Sequence, residues 1–443
     1  MRNEYKYTKK GLESCFIFGT YVIISASNTT KIVQKEKKEI MKKRVVAAVL
    51  AGLMVFSLTA CGSSSDSKTE TKTEEKADND TEETSDASDM KVAMVTDSGD
   101  ITDQSFNQTT YETCKAWGSE NNVEFNYYKP ESDSDEARSA SVDQAAADGA
   151  NVIVLPGYMF ASAVVEQSEM YPDIKFVALD VSAGDICEKG VGEGYSYNPD
   201  EYDVTEYYNT DNVYCCTYQE ELSGYMAGYA AVKLGYHHLG FLGGMSVPAV
   251  TRFGYGYVQG ADEAAKELDI VDDVAVEYVC GGQFYGDADI TAYMDTWYGS
   301  KDVEAVFACG GGIYTSAAEA AAKTGGKVIG VDSDQSGIIG EDLTITSAMK
   351  GLAPTINDVL DAIKADNWKD YAGKIDNLGL VSENPEDNFV QLPVETTQWS
   401  DDFTEDDYKD LVKRMYDGEL TVSGDITALP ETEIKVEDYG SIK

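Results

Sequence analysis

The amino-acid sequence predicts an α/β protein in which two doubly wound lobes follow a signal peptide and a disordered acidic tether. Short apolar runs rich in Val, Ile and Leu alternate with segments of helical periodicity, as expected of parallel strands covered on both faces. The alternation restarts after a non-periodic stretch at residues 184–213. The chain of 443 residues also exceeds the roughly 250–300 residues that one core commonly supports.

An export signal is predicted at residues 41–60. Met41–Arg44 is basic, and Val45–Leu58 is an apolar stretch of 14 residues. A membrane-spanning helix needs about 20 apolar residues, so this shorter stretch is typical of a signal peptide. Leu58–Cys61 has the sequence LTAC, which resembles the bacterial lipobox. The resemblance implies lipidation of Cys61 and a membrane anchor; the alternative is an ordinary cleaved signal with a chance cysteine.

Two segments that flank the signal peptide are not expected to fold. Residues 1–40 precede a complete signal peptide, and we interpret them as an extension from a mis-assigned start codon. Residues 62–89 contain no aromatic and no branched aliphatic side chain. Such a composition cannot bury enough apolar surface to fold. Residues 61–89 are therefore predicted to be a lipidated cysteine followed by a flexible tether.

The first lobe is predicted from four strands and three helices. The strands are Lys91–Asp97, Val123–Pro130, Asn151–Gly157 and Ile174–Asp180. The helices are Phe106–Glu120, Ser134–Ala150 with Ser134 or Asp135 as cap, and Phe160–Pro172. The acidic, Tyr-rich residues 184–213 are interpreted as a long loop.

The second lobe repeats the pattern. Its predicted helices are Glu221–Gly235, Tyr257–Ile270 and Ser316–Gly326. Its predicted strands are His238–Gly244, Val274–Gly282, Ala305–Gly312 and Lys327–Asp334. We expect the first lobe to span 90–215 with about 336–365, and the second to span 216–335 with about 366–443.

Charge and composition exclude several classes of function. Residues 61–443 hold 75 acidic and 24 basic side chains, and such a domain repels nucleic acid. The two histidines, His237 and His238, are adjacent, and no phosphate-binding glycine loop or nucleophile elbow is present. An enzyme, a metal site and a cofactor are therefore not expected. The eight cysteines include no C-x-x-C pair. Two alternatives remain for them, namely buried free thiols or one disulfide.

Small or acidic residues end many of the predicted strands. Examples are Asp97, Asp180, Gly243-Gly244, Gly310-Gly311 and Asp332. Each alone is an ordinary turn residue. Ligands of doubly wound sheets bind at the carboxyl ends of the strands, so the recurrence of such residues there predicts a ligand site.

Several motifs together resemble one family. They are DITDQSFNQTTYE (100–112), KFVALD (175–180), LSGYMAGYAA (222–231), FLGGMSVPAVTRFGYGYVQG (241–260), VFACGGGIYTSAAEAA (306–321), GVDSDQ (330–335) and TSAMKG (346–351). Their order and spacing resemble the basic membrane protein family of lipoproteins, the nucleoside-type substrate-binding proteins of ABC importers. The resemblance covers about residues 90–365.

The resemblance implies a type I periplasmic-binding-protein fold, with two Rossmann-like lobes joined by a hinge, and a set of ligand-binding residues. These are Asp103, Phe106, Asn107 and Tyr111 in the first-lobe motif, Asp180 after the fourth strand, the second-lobe aromatic Phe253, and Asp332 with Lys350, which grip the sugar. Whether Phe106 or Tyr111 stacks on the ligand is open, and Arg252 is either a ligand contact or a surface cation.

The implied ligand is a nucleoside, with a purine nucleoside favoured, captured by closure of the hinge. The implied partners are an ABC permease pair and its ATPase, for a monomer anchored at the outer face of the bacterial membrane. Riboflavin or another sugar-bearing solute is an alternative ligand. A sensor-input or surface-adhesion lipoprotein with the same fold is the alternative function.

Overall fold

The computed structural model describes residues 89–443, which form two α/β lobes. The strands are Lys91–Val95 (β1), Glu124–Tyr128 (β2), Val152–Pro156 (β3), Lys175–Leu179 (β4), Val213–Tyr218 (β5), His238–Gly243 (β6), Ala275–Cys280 (β7), Ala305–Cys309 (β8), Lys327–Asp332 (β9), Thr344–Lys350 (β10), Ile375–Leu378 (β11), Val390–Gln391 (β12) and Lys435–Ser441 (β13). The helices are Phe106–Asn121 (α1), Asp135–Ala147 (α2), Ala161–Met170 (α3), Ala183–Val191 (α4), Glu220–Lys233 (α5), Pro248–Leu268 (α6), Ala288–Ser300 (α7), Tyr314–Thr324 (α8), Ser336–Ile339 (α9), Leu352–Lys364 (α10) and Glu405–Tyr416 (α11). The predicted extension, signal peptide and Cys61, and the tether up to residue 88, lie outside the described residues.

The two sheets share one strand order. The first sheet runs β2-β1-β3-β4-β5-β11, with every neighbour parallel. The second runs β13-β7-β6-β8-β9-β10-β12, and only β12 is antiparallel to its neighbour. The first five strands of each lobe therefore follow the doubly wound order 2-1-3-4-5. The expected pair of doubly wound lobes is confirmed.

Each sheet is buried on both faces, which explains why its strands read as continuous apolar runs. In β3, Val152 and Val154 face one hydrophobic cluster, while Ile153 and Leu155 face another. The second sheet likewise separates two clusters. The six cysteines of residues 89–443 are free and buried. None of the helices in this part of the chain is long and apolar enough to cross a membrane.

The chain crosses between the lobes three times. It leaves the first sheet after β5 and enters α5, which packs against α6 of the second lobe. It returns after β10, because α10 packs against α1 of the first lobe. The third crossing joins β11 of the first sheet to β12 of the second. Three adjacent connections of this kind form a hinge.

The crossings shift the expected lobe boundaries. Residues 344–350 (β10) were expected in the first lobe but pair with the second sheet, and residues 375–378 (β11) were expected in the second but pair with the first. The expected loop at 184–213 also differs, because α4 occupies its beginning. A reciprocal capping box between Ser182 and Asp185 starts that helix.

Candidate functional site

A cavity lies between the lobes at the carboxyl ends of their strands. Its empty space is about 880 Å³, a volume that includes open solvent. Its lining includes Asp97 after β1, Gly157 after β3, Gly310 after β8 and Asp332 at the end of β9. Of these strands, β1, β3 and β8 border the points where the strand order of each sheet reverses, which is where doubly wound folds bind ligands.

Seven of the eight side chains singled out in the sequence line this cavity: Asp103, Phe106, Asn107, Asp180, Phe253, Asp332 and Lys350. Tyr111 does not. Its ring packs on the outer side of α1, with centroids 5.7 Å from Phe125 and 5.2 Å from Tyr127. Tyr111 lies five residues after Phe106, and at 3.6 residues per turn this is a rotation of about 140°. Phe106, not Tyr111, is the α1 ring at the cavity.

The end of β1 contributes a buried polar group that the sequence identified only as a strand end. Asn107 Nδ2 donates to Asp97 Oδ1 at 3.0 Å and to Asp103 Oδ2 at 3.1 Å. Burial raises the pKa of Asp97 to about 6, although hydrogen bonds from Gly99 and Asn107 act in the opposite direction. Asp97 therefore belongs with Asn107 in the cavity wall. Its position directly after the first strand was the signal that could have found it.

Asp103 has a second role, which is to cap α1. Its carboxylate accepts the backbone N–H groups of Ser105 at 2.9 Å, Asn107 at 3.0 Å and Gln108 at 3.0 Å. The first turn of a helix has no backbone acceptors for these donors, so a side-chain carboxylate stabilises it. Asp103 thereby fixes the helix start that carries Phe106 and Asn107.

Asp180 and Asp332 occupy equivalent places in the two lobes, at the end of the fourth strand of each. Both have left-handed backbone conformations, with φ of 59° and 65°, which Asp and Asn tolerate better than most other residues. Asp180 Oδ1 is buried and has no hydrogen-bond partner among residues 89–443. Ser105 donates its hydroxyl to Asp332 Oδ2.

Lys350 connects the lobes at the centre of the site. Its Nζ lies 2.7 Å from Asp180 Oδ2 and 3.1 Å from Glu220 Oε1. It also lies 5.1 Å from the ring centre of Phe106 and 5.5 Å from that of Phe253. Burial opposes the charged form, but the surrounding carboxylates raise the pKa of Lys350 above its ordinary value. The ammonium group is therefore charged at every physiological pH.

Glu220 is a site residue that the sequence did not reveal. Its side chain is fully buried at the first hinge crossing, where Oε2 accepts from Arg252 Nε at 2.5 Å. Burial raises its pKa, but Arg252 and Lys350 more than offset this effect and lower the pKa below the usual range. An acid in the first turn of a helix is common, so the sequence carried no distinguishing signal. Arg252, left open above, lines the cavity and is paired.

Close packing of α5 on α6 positions Phe253 and Arg252 next to the hinge. A Cβ atom at Gly224 would lie 2.1 Å from the carbonyl oxygen of Phe253, and one at Gly256 would lie 2.1 Å from that of Glu221. Only glycine permits such an approach of two helix backbones. The motifs LSGYMAGYAA and GYGYVQG thus bring the second-lobe ring next to the hinge.

Comparison with known proteins assigns the chain to a family. Residues 90–414 match the model of the family described as ABC transporter substrate-binding protein, PnrA-like. The chain belongs to this family. The resemblance that the motifs predicted is confirmed, and so is the role of a substrate-binding protein of an ABC transporter. Such a protein has a small-molecule ligand, and its partners are a membrane permease and an ATPase.

Named relatives span most of the chain. The protein called ABC transporter nucleoside-binding protein BmpA, from Lactococcus lactis, is 28% identical over 408 residues, which cover 86% of this chain and 99% of the relative. Basic membrane protein B of Borreliella burgdorferi is 26% identical over 311 residues, covering 69% and 81%. An ABC transporter solute-binding protein from Aeropyrum pernix superposes with a TM-score of 0.56 at 19% identity, covering 76% and 88%. This likeness shows that the PnrA-like chain has the type I periplasmic-binding-protein fold.

Proposed function

We propose that this chain is a lipid-anchored nucleoside-binding protein that captures its ligand by closing two lobes around it. The observation that carries the proposal is the buried carboxylate oxygen Asp180 Oδ1, which has no donor among the described residues. A buried acceptor without a partner is unfavourable by about 1–3 kcal/mol. A ligand hydroxyl that reaches this atom would remove the penalty.

Paired hydroxyl groups fit the acids of the cavity. Asp180 and Asp332 line the cavity from opposite lobes, and Lys350 lines it as well and contacts Asp180. The vicinal diol of a ribose offers two donors, and hydrogen bonds to carboxylates are roughly twice as strong as neutral ones. Lys350 would offset the negative charge that these acids bring to the closed site.

Flat rings and an amide edge fit the base. Phe106 and Phe253 line the cavity from different lobes, and each aromatic pair adds about 0.5–1.5 kcal/mol beyond the area that it buries. Asn107 and Asp97 supply polar atoms for the edge of a base. The name of the Lactococcus lactis relative, a nucleoside-binding protein, supports the same ligand class, and we favour a purine nucleoside.

Charge favours a nucleoside over a nucleotide. The lining contains five aspartates and two cations, Lys350 and Arg252. Both cations are already paired with carboxylates, Lys350 with Asp180 and Glu220, and Arg252 with Glu220. A phosphate group would therefore meet an excess of negative charge without a free cation in the lining.

Isothermal titration calorimetry with the full chain tests the ligand. We expect binding of inosine, guanosine or adenosine, and at least about tenfold weaker binding of inosine monophosphate because of the charge excess. Cytidine and riboflavin separate a purine site from other nucleoside-like ligands. No heat with any of these compounds would contradict the proposal.

Attachment through Cys61 is a separate part of the proposal. Cells that express the Cys61→Ser variant should release the protein from the membrane fraction, because only the lipidated thioether would hold it there. Metabolic labelling with a fatty acid should label the protein that retains Cys61 and should not label the Cys61→Ser variant. A variant that stays in the membrane fraction would exclude Cys61 as the anchor.

A further inference from the structure

The start of α1 is held on the second lobe by a buried glutamine outside the cavity lining. Gln335 follows β9 and is fully buried. Its Nε2 donates to the backbone carbonyl of Gln104 at 3.0 Å, and Gln104 precedes α1 in the first lobe. This hydrogen bond therefore spans the cleft between the lobes. The neighbouring bond from Ser105 to Asp332 spans it as well.

The second lobe holds the side chain of Gln335 in a fixed position. Gln335 Oε1 accepts the N–H of Val331 at 3.0 Å, and its own backbone N–H donates to Ser347 Oγ at 3.1 Å. Gly330 makes room for it, because a Cβ there would lie 2.9 Å from Gln335 Oε1. The amide is thus fixed by its own lobe, and its Nε2 is directed at the other.

Gln104, whose backbone carbonyl accepts this hydrogen bond, has an uncommon backbone conformation. Gln104 has φ of 57°, which few residues other than glycine adopt. Its backbone N–H donates to Gln108 Oε1 at 3.0 Å. The conformation of the loop before Phe106 therefore fixes the direction of the Gln104 carbonyl. When the lobes separate, the bond between Gln335 and Gln104 must break, whereas the bonds from Gln335 to Val331 and Ser347 remain.

We propose that Gln335 is a positioning residue that stabilises the closed lobes and so holds Phe106 and Asn107 at the ligand. The inference rests on the proposed function, because it assigns a role in closure of the same site. Such a residue acts on the population of the closed state, and the apparent affinity of a ligand falls in proportion to that population. A single hydrogen bond changes such an equilibrium by about twofold to tenfold.

Small-angle X-ray scattering of the ligand-free full chain, with inosine affinity as a second measurement, tests this role. Gln335→Met keeps the length of the side chain but removes the donor, and Gln335→Asn keeps the amide but not its reach. Both should increase the radius of gyration and weaken inosine binding by about twofold to tenfold, mainly through faster dissociation. Ser105→Ala breaks the other bond across the cleft and should act in the same direction, even if the Gln335 variants fold poorly.

Thr346→Val is the matched control. It removes a buried hydrogen bond to Thr397 within the second lobe and leaves the hydrogen bonds of Gln335 in place, so it should lower thermal stability without changing the radius of gyration. If Gln335→Met and Ser105→Ala both scatter like the unmodified chain, the inference is overturned. Absence of inosine binding by the unmodified chain would instead count against the proposed ligand, and scattering alone would then decide the role of Gln335.

Discussion

Replacing Asp332 by Asn should make the ligand-free protein more stable and its ligand affinity weaker. Asn is isosteric and tolerates the left-handed conformation at this position, and it can still accept from Ser105. The variant therefore changes only the charge. Hydrogen bonds to a charged acceptor exceed neutral ones by about 1 kcal/mol each. If Asp332 accepts one ribose hydroxyl and Asp180 the other, the loss is about 1 kcal/mol, or about fivefold in Kd.

The stability change follows from the pKa of Asp332, which burial raises above its ordinary value although Lys350 and Ser105 act in the opposite direction. The folded protein therefore holds the proton more tightly than the unfolded chain does. Stability is lost as pH rises from about 4 through the raised pKa, and above that pH the loss is complete. The side chain introduced by Asp332→Asn does not ionise, so the variant does not lose this stability. At pH 7.5 the unfolding temperature of the variant should therefore exceed that of the protein with Asp332. The difference should shrink towards pH 4.5.

Two measurements test the expected changes in ligand affinity and in stability. Calorimetry with inosine gives the change in Kd, and thermal unfolding of the ligand-free chain between pH 4.5 and pH 7.5 gives the stability difference. An unchanged Kd would remove Asp332 from the ligand contacts. A variant that is less stable at pH 7.5 would show that the carboxylate contributes to the fold and is not strained by burial.

Three further substitutions test the site. Phe106→Ala should weaken nucleoside binding by about tenfold, from lost stacking and burial, whereas Tyr111→Ala should leave Kd unchanged; equal losses in calorimetry would contradict the assignment of the ring. Glu220→Gln should lower the free energy of unfolding at pH 7 by about 3 kcal/mol or more, because Arg252 and Lys350 lose a buried partner; denaturant unfolding measures it, and a neutral result would refute the role of Glu220. Gly256→Ala should destabilise the protein by about 1–3 kcal/mol through overpacking. Its control is Gly299→Ala, also within a helix but with no atom within 4 Å of the added Cβ, which should be neutral or stabilising.

The sequence predicted the doubly wound lobes because strands that are buried on both faces appear in the sequence as continuous apolar runs. It also predicted the acids at the ends of β4 and β9, because a carboxylate after a buried strand stands out. It did not predict Glu220, whose importance comes from two cations, Arg252 and Lys350, that are distant in sequence. Nor did it resolve Phe106 from Tyr111, since that choice depends on the direction in which α1 faces.

The lobe boundaries failed for a related reason. A hinge strand such as β10, whose sequence is TITSAMK, is buried whichever sheet it joins, so periodicity cannot assign it to a lobe. Only the pairing partner decides, and β10 pairs with β9. The same ambiguity affected β11, which lies beside β5 although it follows the second lobe in sequence.

Repetition of one arrangement in both lobes supports the proposal that closure completes the site. Asp180 and Asp332 each end the fourth strand of a lobe with a left-handed aspartate, so each lobe presents one carboxylate at the same place in its sheet. Neither lobe alone carries both acids. Lys350, at the second hinge crossing, is bound to Asp180 of the first lobe and to Glu220 at the first crossing. Because like charges repel strongly in a site with little water, a cation beside the aspartates lowers the cost of bringing them together. In the proposed function, the hinge thus supplies the charge that would allow two equivalent acids to face one ligand.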